Sequence, residues 1–492
     1  MLPLLVLVHF IGAVLPGARA SKFSRYTNCS SCIKAGYGWS LAKSRCGAFA
    51  NTVCPDPSGT VHLGTPAESC STTGFAEAWL PGPNDLGAWK RIETLQVVAS
   101  VAACGSPKIV SSQPKHSGLI TVLSTLGVCM GFTIAKGQQF VIDESKPRGV
   151  SLGNLDGFEM KQFMVPISTC AATDDWNATD HTLILHRGHG QGRPDNCYKD
   201  EEEMKALKST LLKLAHPFAE LPEWQQAAMG KDSLRASWQQ EKLKLLWWHG
   251  MVMRWMLRPN EEQLNWLSDY SQKIGFPIPG SRDTVIAVHI RGGDKAKEVQ
   301  WTKHLEEFGA TKYFEKVFEL RQKTFATNQR LGHERWPIPT VLFLATDEAS
   351  IVGSARADFD KMLATEKEQT PALQQKVSFR LVFDTKVVRH HSMAGYLTRA
   401  STHEHYISSR EVLTDTMLLA SSYYMIGTCT STVSVVSAQM QIVKHITAAP
   451  TEADGTLTRG WHMPIRIDKE QCKRRVNREH QEVTFADDWV IR

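Results

Sequence analysis

Residues 285–295 read VIAVHIRGGDK. The run Val285–Ile290 is rich in β-branched residues and shows no polar alternation, the pattern of a strand buried on both faces of a parallel sheet. Two glycines and two cations come directly after it. Working outward, the same arrangement recurs. Thr340–Ala345 (TVLFLA), Phe379–Phe383 (FRLVF), Tyr424–Gly427 and Ile442–Thr447 read as further strands. Helical patterns over Tyr313–Thr324, Ile351–Ala364, Ser409–Ser421 and Thr432–Met440 separate them. Repeated strand-helix-strand units of this length predict a doubly wound α/β sheet with right-handed crossovers. Ligands in such sheets sit outside the carboxyl ends of the strands.

The residues just past each strand therefore matter most. After the first come His289, Arg291, Gly292, Gly293, Asp294 and Lys295, with Glu298 a turn further on. Arginine offers a planar fork for phosphate, lysine adds a point charge, and the glycines let the backbone come close. After the second come Asp347 and Glu348. A carboxylate pair there can accept hydrogen bonds from a base or a ribose, or it can cap the next helix. Between Gly427 and the next helix lies the hydroxyl cluster Thr428, Thr430 and Ser431, preceded by Asp415. Free N–H groups and the helix dipole suit that position to phosphate, although ordinary capping uses the same residues. Together these features describe a nucleotide-diphosphate pocket with neither a Walker-type loop nor a Gly-x-Gly-x-x-Gly fingerprint.

The upstream half is less regular. Residues 1–20 are an apolar run ending in Ala18-Arg19-Ala20, which reads as a cleaved secretory signal peptide. Cleavage would leave no stable membrane span. Asn28 and Asn177 begin glycosylation sequons. Cys29, Cys32, Cys46, Cys54 and Cys70 crowd one stretch, and in an oxidising compartment this is a disulfide framework. Within 85–280, apolar runs at Leu95–Val101, Leu119–Leu126, Phe140–Asp143 and Thr182–Leu185 alternate with helical patterns. His186, Arg187, Gly188 and His189 form a Gly-rich stretch that either lines the cleft or lies on the surface. The address is the lumen of the secretory pathway (ER or Golgi) or the exterior.

Composition excludes other classes. The 492 residues carry 56 Lys+Arg against 50 Asp+Glu, a net +6 that is too mild for a nucleic-acid binder. At 42% apolar and 22% charged the chain is globular. Its 18 histidines show no metal-ligand spacing.

The three motifs carry a resemblance. VHIRGGDK resembles the first motif (roughly VHVRRTDK) of the α1,6-fucosyltransferases and bacterial chitin-oligosaccharide fucosyltransferases, LATDEAS their second, and TDTMLLASSYYMIGTCTSTVS their third. Asp415 and Ser431 keep that family's separation of sixteen residues. The N-terminal string around Cys29, Cys32 and Trp39 loosely resembles a PSI module. The resemblance implies a GT-B-like α/β fold of two Rossmann-like, doubly wound domains plus a small disulfide-rich N-terminal module. The expected organisation is then the signal at 1–20, a Cys-rich module at 21–80, an acceptor domain with a helical segment at 85–280, a GDP-sugar-binding domain at 281–465 and a charged tail at 466–492.

The same resemblance implies fucosyl transfer from GDP-fucose to a glycan or glycoprotein hydroxyl, inverting and without a cofactor or divalent metal. By motif position Arg291 would bind the diphosphate, Lys295 would assist it, Asp294 would hold the loop or sugar, and Glu298 would be the general base. His289, Gly292 and Gly293 would line the donor site. Asp347 and Glu348 would orient Lys295 or the donor, Asp415 would contact guanine or the pocket wall, and Thr428, Thr430 and Ser431 would bind phosphate. Two departures stand out: the family's second arginine is Gly292 here, and its Asp-Asp pair is Asp347-Glu348. A non-catalytic binding module on a degenerate transferase fold, or a transferase using another nucleotide sugar, are the alternatives.

Overall fold

The computed structural model describes residues 75, 79, 86–97, 108–112, 119–142, 160–168, 182–185, 201–214, 234–278, 281, 283–292, 310–331, 337–385, 402–428 and 431–448, with short strands at 38–40, 45–47 and 465–466. The main sheet has five parallel strands: β6 (Val285–Ile290), β7 (Val341–Thr346), β8 (Arg380–Val382), β9 (Tyr424–Gly427) and β10 (Ile465–Arg466). Their order is β10-β9-β6-β7-β8. The chain starts in the middle at β6, winds outward through β7 and β8, then returns to lay β9 on the other side. The strand order therefore reverses between β6 and β9. A second sheet has three parallel strands, β3 (Lys108–Ser112), β4 (Phe140–Ile142) and β5 (Thr182–Leu185), in the order β4-β3-β5. A short antiparallel pair, β1 (Gly38–Ser40) and β2 (Arg45–Gly47), lies in the Cys-rich stretch.

The helices are α1 (Leu86–Gln96), α2 (Leu119–Ala135), α3 (Glu201–Leu214), α4 (Leu234–Met256), α5 (Glu261–Ile274), α6 (Ala310–Leu331), α7 (Ala349–Gln369), α8 (Pro371–Lys376), α9 (Thr402–Ser421) and α10 (Thr432–Ala448). Two expectations are corrected. The apolar run at Leu119–Leu126 opens α2, which is buried along most of its length. The run Ile442–Thr447 is the last part of α10 and not a strand; the fifth strand is β10. Both runs are short and rich in apolar residues, and periodicity alone does not assign such a run to helix or strand.

Alternation in the strands divides the core. Ile286, Val288, Ile290, Leu342, Leu344, Leu381, Tyr424 and Ile426 pack with Tyr313, Phe314, Val317 and Phe318 of α6 and Ile351 and Phe359 of α7. Val285, Ala287, Val341, Phe343, Ala345, Val382 and Met425 face the other way, into a larger core built by α2, α4, α5, α9 and α10. Each fully buried aliphatic or aromatic side chain contributes about 1.5–3 kcal/mol. In α4 a block of Trp247, Trp248, Met251, Val252, Trp255 and Met256 is wholly or almost wholly buried. Cys129, buried on α2, is disulfide-bonded. Helix α5 is sharply bounded: the Asn260 side chain accepts from Gln263 N (2.9 Å), and Gly275 closes it at φ 75°. No helix among the described residues is long and apolar enough to cross a membrane.

Two buried polar groups stand out. Between α6 and α7, Arg321 pairs with Glu366, with both side chains excluded from water. The guanidinium also donates to the carbonyls of Pro339 (3.0 Å) and Val377 (2.6 Å) and lies over Phe379. Burial pushes Arg321 down and Glu366 up, and each is opposed by the other's charge. His249 of α4 joins three helices. Its Nδ1 is 2.7 Å from the Gln439 side chain of α10, and its Nε2 is 3.3 Å from the Ser124 carbonyl of α2. Burial lowers its pKa below the ordinary histidine value.

Removing one partner of a buried pair strands the other's charge. Arg321→Leu should therefore lose about 3–5 kcal/mol in urea unfolding, and Arg321→Leu/Glu366→Leu should lose less than the single variant. For His249 the unfolded state binds the proton more readily than the folded one. Its contribution is intact above about pH 6.5 and is lost as pH falls below that value. The decline should be measurable as unfolding free energy against pH, and His249→Gln should flatten it.

Candidate active site

The switch point between β6 and β9 is where a doubly wound sheet opens a crevice at its carboxyl edge. Three strand ends meet around it. Arg291 and Gly292 leave β6, Asp347 and Glu348 leave β7, and Thr428 leaves β9 toward the start of α10.

Asp347 ties two of these ends together. Its Oδ2 accepts from Arg291 Nη1, and its Oδ1 accepts from the Gly292 backbone N–H at 2.7 Å. Both side chains are about a fifth exposed, 23% for Arg291 and 21% for Asp347, so the pair is reachable from solvent. The carboxylate thus fixes a guanidinium and the backbone turn that carries it. Glu348 does a different job. Its Oε1 accepts from Ser350 N (3.3 Å) and Ser350 Oγ (2.9 Å), capping α7, while its own N–H donates to Thr346 Oγ1 (3.1 Å). An anion at this end also complements the helix dipole. Of the two readings of the acid pair, Glu348 fits the capping one, and Asp347 holds Arg291.

Gly292 is glycine for a steric reason. A Cβ there would stand 2.6 Å from Glu348 Cβ and 3.0 Å from its Cγ and Oε2. No side chain fits unless the end of β7 moves.

On the β9 side, Thr428 is buried and its Oγ1 has no hydrogen-bond partner. The Ser431 N–H reaches the Thr428 carbonyl at 3.4 Å, and the Ser431 carbonyl accepts from Val435 N at 3.0 Å, so Ser431 begins α10. His289, 6% exposed, lies with its Nδ1 2.7 Å from Ser434 Oγ in the first turn of α10. Ser434 Oγ also accepts from the Thr428 N–H at 3.3 Å. Sequence reading did not single out Ser434. A serine three residues past a helix start reads as a routine polar position, and its partner is 145 residues away. Asp415 is half-buried on α9, beside Thr416, whose carbonyl accepts from Ser437 Oγ of α10 (3.2 Å).

The structure thus brings His289, Arg291, Gly292, Asp347, Glu348, Thr428 and Ser431 to one edge of the sheet. Gly293, Asp294, Lys295, Glu298, Thr430, Asn28 and Asn177 lie outside the described residues, as do the Gly-rich stretch at 186–189 and the tail beyond 466.

No protein-family model matches the chain, and no curated protein is significantly similar to it. Among solved structures it is similar to NodZ alpha-1,6-fucosyltransferase soaked with GDP-fucose, at 15% identity over 68% of this chain and 92% of that one, TM-score 0.29. It is also similar to a mutant of Arabidopsis thaliana FUT1 in complex with GDP, at 12% identity over 82% and 86%, TM-score 0.32. A third is POFUT1 in complex with GDP, at 10% identity over 73% and 98%, TM-score 0.26. The likeness is remote.

Gly292→Ala should cost about 1–3 kcal/mol in unfolding experiments, the usual range for an overpacked site. The closest clash is with Glu348 Cβ itself, so a Glu348→Ala background should relieve only a minor part of the cost, whereas Glu348→Gly should relieve most of it.

Proposed function

We propose that this chain is a glycosyltransferase that moves fucose from GDP-fucose to a hydroxyl of a glycan or glycoprotein acceptor in the secretory lumen. The observation that carries the reading is the clasp of Arg291 and the Gly292 N–H on Asp347 at the carboxyl ends of β6 and β7, with β9, which leads into α10, next to β6 on the other side. Three motifs resembling those of the α1,6-fucosyltransferases fall on the strand ends that form this edge. The reading includes a second Rossmann-like unit built around β4-β3-β5 as the acceptor side.

The chemistry rests on the groups available. The acceptor oxygen attacks the anomeric carbon from the face opposite GDP. The bond from that carbon to the phosphate oxygen breaks, and GDP departs with the electron pair. Negative charge grows on the diphosphate. Arg291, oriented by Asp347, and the N–H groups and hydroxyls around Thr428 and Ser431 are preorganised to receive it, which is often the largest catalytic effect. Lys295 adds a second cation, Thr430 a further hydroxyl, and Asp294 holds the loop or the sugar. Glu298 takes the acceptor proton, an effect of about 10²–10⁴-fold. Asp415 contacts the guanine or the pocket wall. In this reading inversion results from the single displacement, and the fixed cations stand where a divalent metal would otherwise serve.

A specific observation favours a second reading, a non-catalytic glycan- or protein-binding module. Position 292 has no room for a second cation, and Glu348 adds a carboxylate beside it.

Purified secreted protein would be assayed for GDP or UDP release from GDP-fucose, GDP-mannose and UDP-GlcNAc, with EDTA present. The expected result is release from GDP-fucose alone, reduced about 10²–10³-fold by Arg291→Ala. Transfer from a different donor would reassign the substrate. Failure to bind GDP-fucose in a titration would favour the binding module.

A further inference from the structure

Ser434 occupies the third position of α10, and helical side chains lean back toward the N-terminus. That lean carries its hydroxyl over the end of β9. It fits because residue 427 is glycine: a Cβ there would stand 2.7 Å from Ser434 Oγ and 2.9 Å from its Cβ. Ser434 and its partner His289 are both buried, with Ser434 4% exposed. The hydroxyl already accepts from the Thr428 N–H. His289 Nδ1 lies 2.7 Å from it and, among the described residues, is the acceptor the structure offers for the hydroxyl's own proton, which a buried O–H has to place. The coherent pattern is a relay: Thr428 N–H to Ser434 Oγ, then Ser434 O–H to His289 Nδ1. A ring that accepts at Nδ1 carries its proton on Nε2.

We propose that Ser434 is a positioning residue that fixes His289 as the Nε2–H tautomer, so that this ring serves the site as a hydrogen-bond donor and not as its base. The proton-accepting task in transfer then falls to a carboxylate. The catalytic part of this inference rests on the function proposed above; the tautomer does not.

Histidine-selective ¹⁵N labelling and a two-bond ¹⁵N–¹H correlation spectrum read the tautomer directly, with His289→Gln supplying the assignment. In the wild type, Nδ1 of His289 should be bare and Nε2 protonated. Ser434→Ala should replace that pattern with a mixture of tautomers. Gly427→Ala, which keeps the hydroxyl but pushes it aside, should do the same. An Nδ1–H signal in the wild type would overturn the proposal. So would unchanged ring signals in both variants, even if their melting temperatures fell, because that is the outcome of a purely structural role. Where GDP-fucose is turned over, Ser434→Ala should lower kcat about 5–10-fold, the worth of one hydrogen bond, with KM nearly unchanged. Absence of turnover in the wild type would count against the transferase reading alone and leave the spectrum as the test of the tautomer.

Discussion

Two helix backbones touch at Gly250, and the position of the site depends on that contact. A Cβ at residue 250 would overlap the carbonyl of Gln439, so α4 and α10 meet main chain to side-chain-free main chain. Directly beside it His249 reaches the Gln439 side chain and the Ser124 carbonyl, adding α2 to the pair. Further toward the helix starts, Thr121 Oγ1 donates to Thr432 Oγ1 at 3.1 Å. Helix α10 is therefore held at its first turn and again two turns on. Its first turn is also the β9 side of the site. The placement of Ser431 and the reach of Ser434 to His289 are thus consequences of core packing. Close-packed interiors have few alternative arrangements, so a helix gripped in this way presents its N-terminus in one place.

The described part of the site holds one guanidinium and two carboxylates. Arg291 is already answered by Asp347, and Glu348 stands beside them engaged in capping α7. On the function proposed above, a diphosphate arriving here would meet one guanidinium whose charge is shared, so that reading also calls on the hydroxyls at the start of α10 and on Lys295. This division has a physical advantage. A guanidinium held by Asp347, which also holds the turn that carries it, is already ordered, so its field is preorganised.

Much of this was legible in the chain. Val285–Ile290 and Val341–Thr346 announce themselves as strands because both faces are buried and neither alternates. The residues after them could be ranked from chemistry alone. Strand order was not legible: nothing local says that β9 returns to lie beside β6, and that pairing makes the switch point. The run at Ile442–Thr447 misled because a short apolar-rich run fits a helix segment as well as a strand, and only the packing of α10 against α4 decides between them. The role of Asp347 was half legible. Its acidity at a strand end was plain, but its grip on Arg291 and the Gly292 N–H links residues more than fifty apart. Ser434 was invisible for the same reason.

The two departures from the resembled pattern, Gly292 and Glu348, belong to one geometry. The ends of β6 and β7 approach so closely that any Cβ at 292 meets Glu348 Cβ, a contact every residue except glycine at 348 would make. The glycine therefore answers the backbone approach and not the length of the acid. Once 292 is glycine, the Cγ and Oε2 of Glu348 pack against the bare backbone where a longer residue at 292 would begin. A glutamate suits that position better than an aspartate, because it still caps α7 through Oε1 while its other oxygen covers the turn. An arginine at 292 would thus require both the space taken by Glu348 and a separation of the strand ends. The clasp on Asp347 opposes that separation, since it holds the same two ends together.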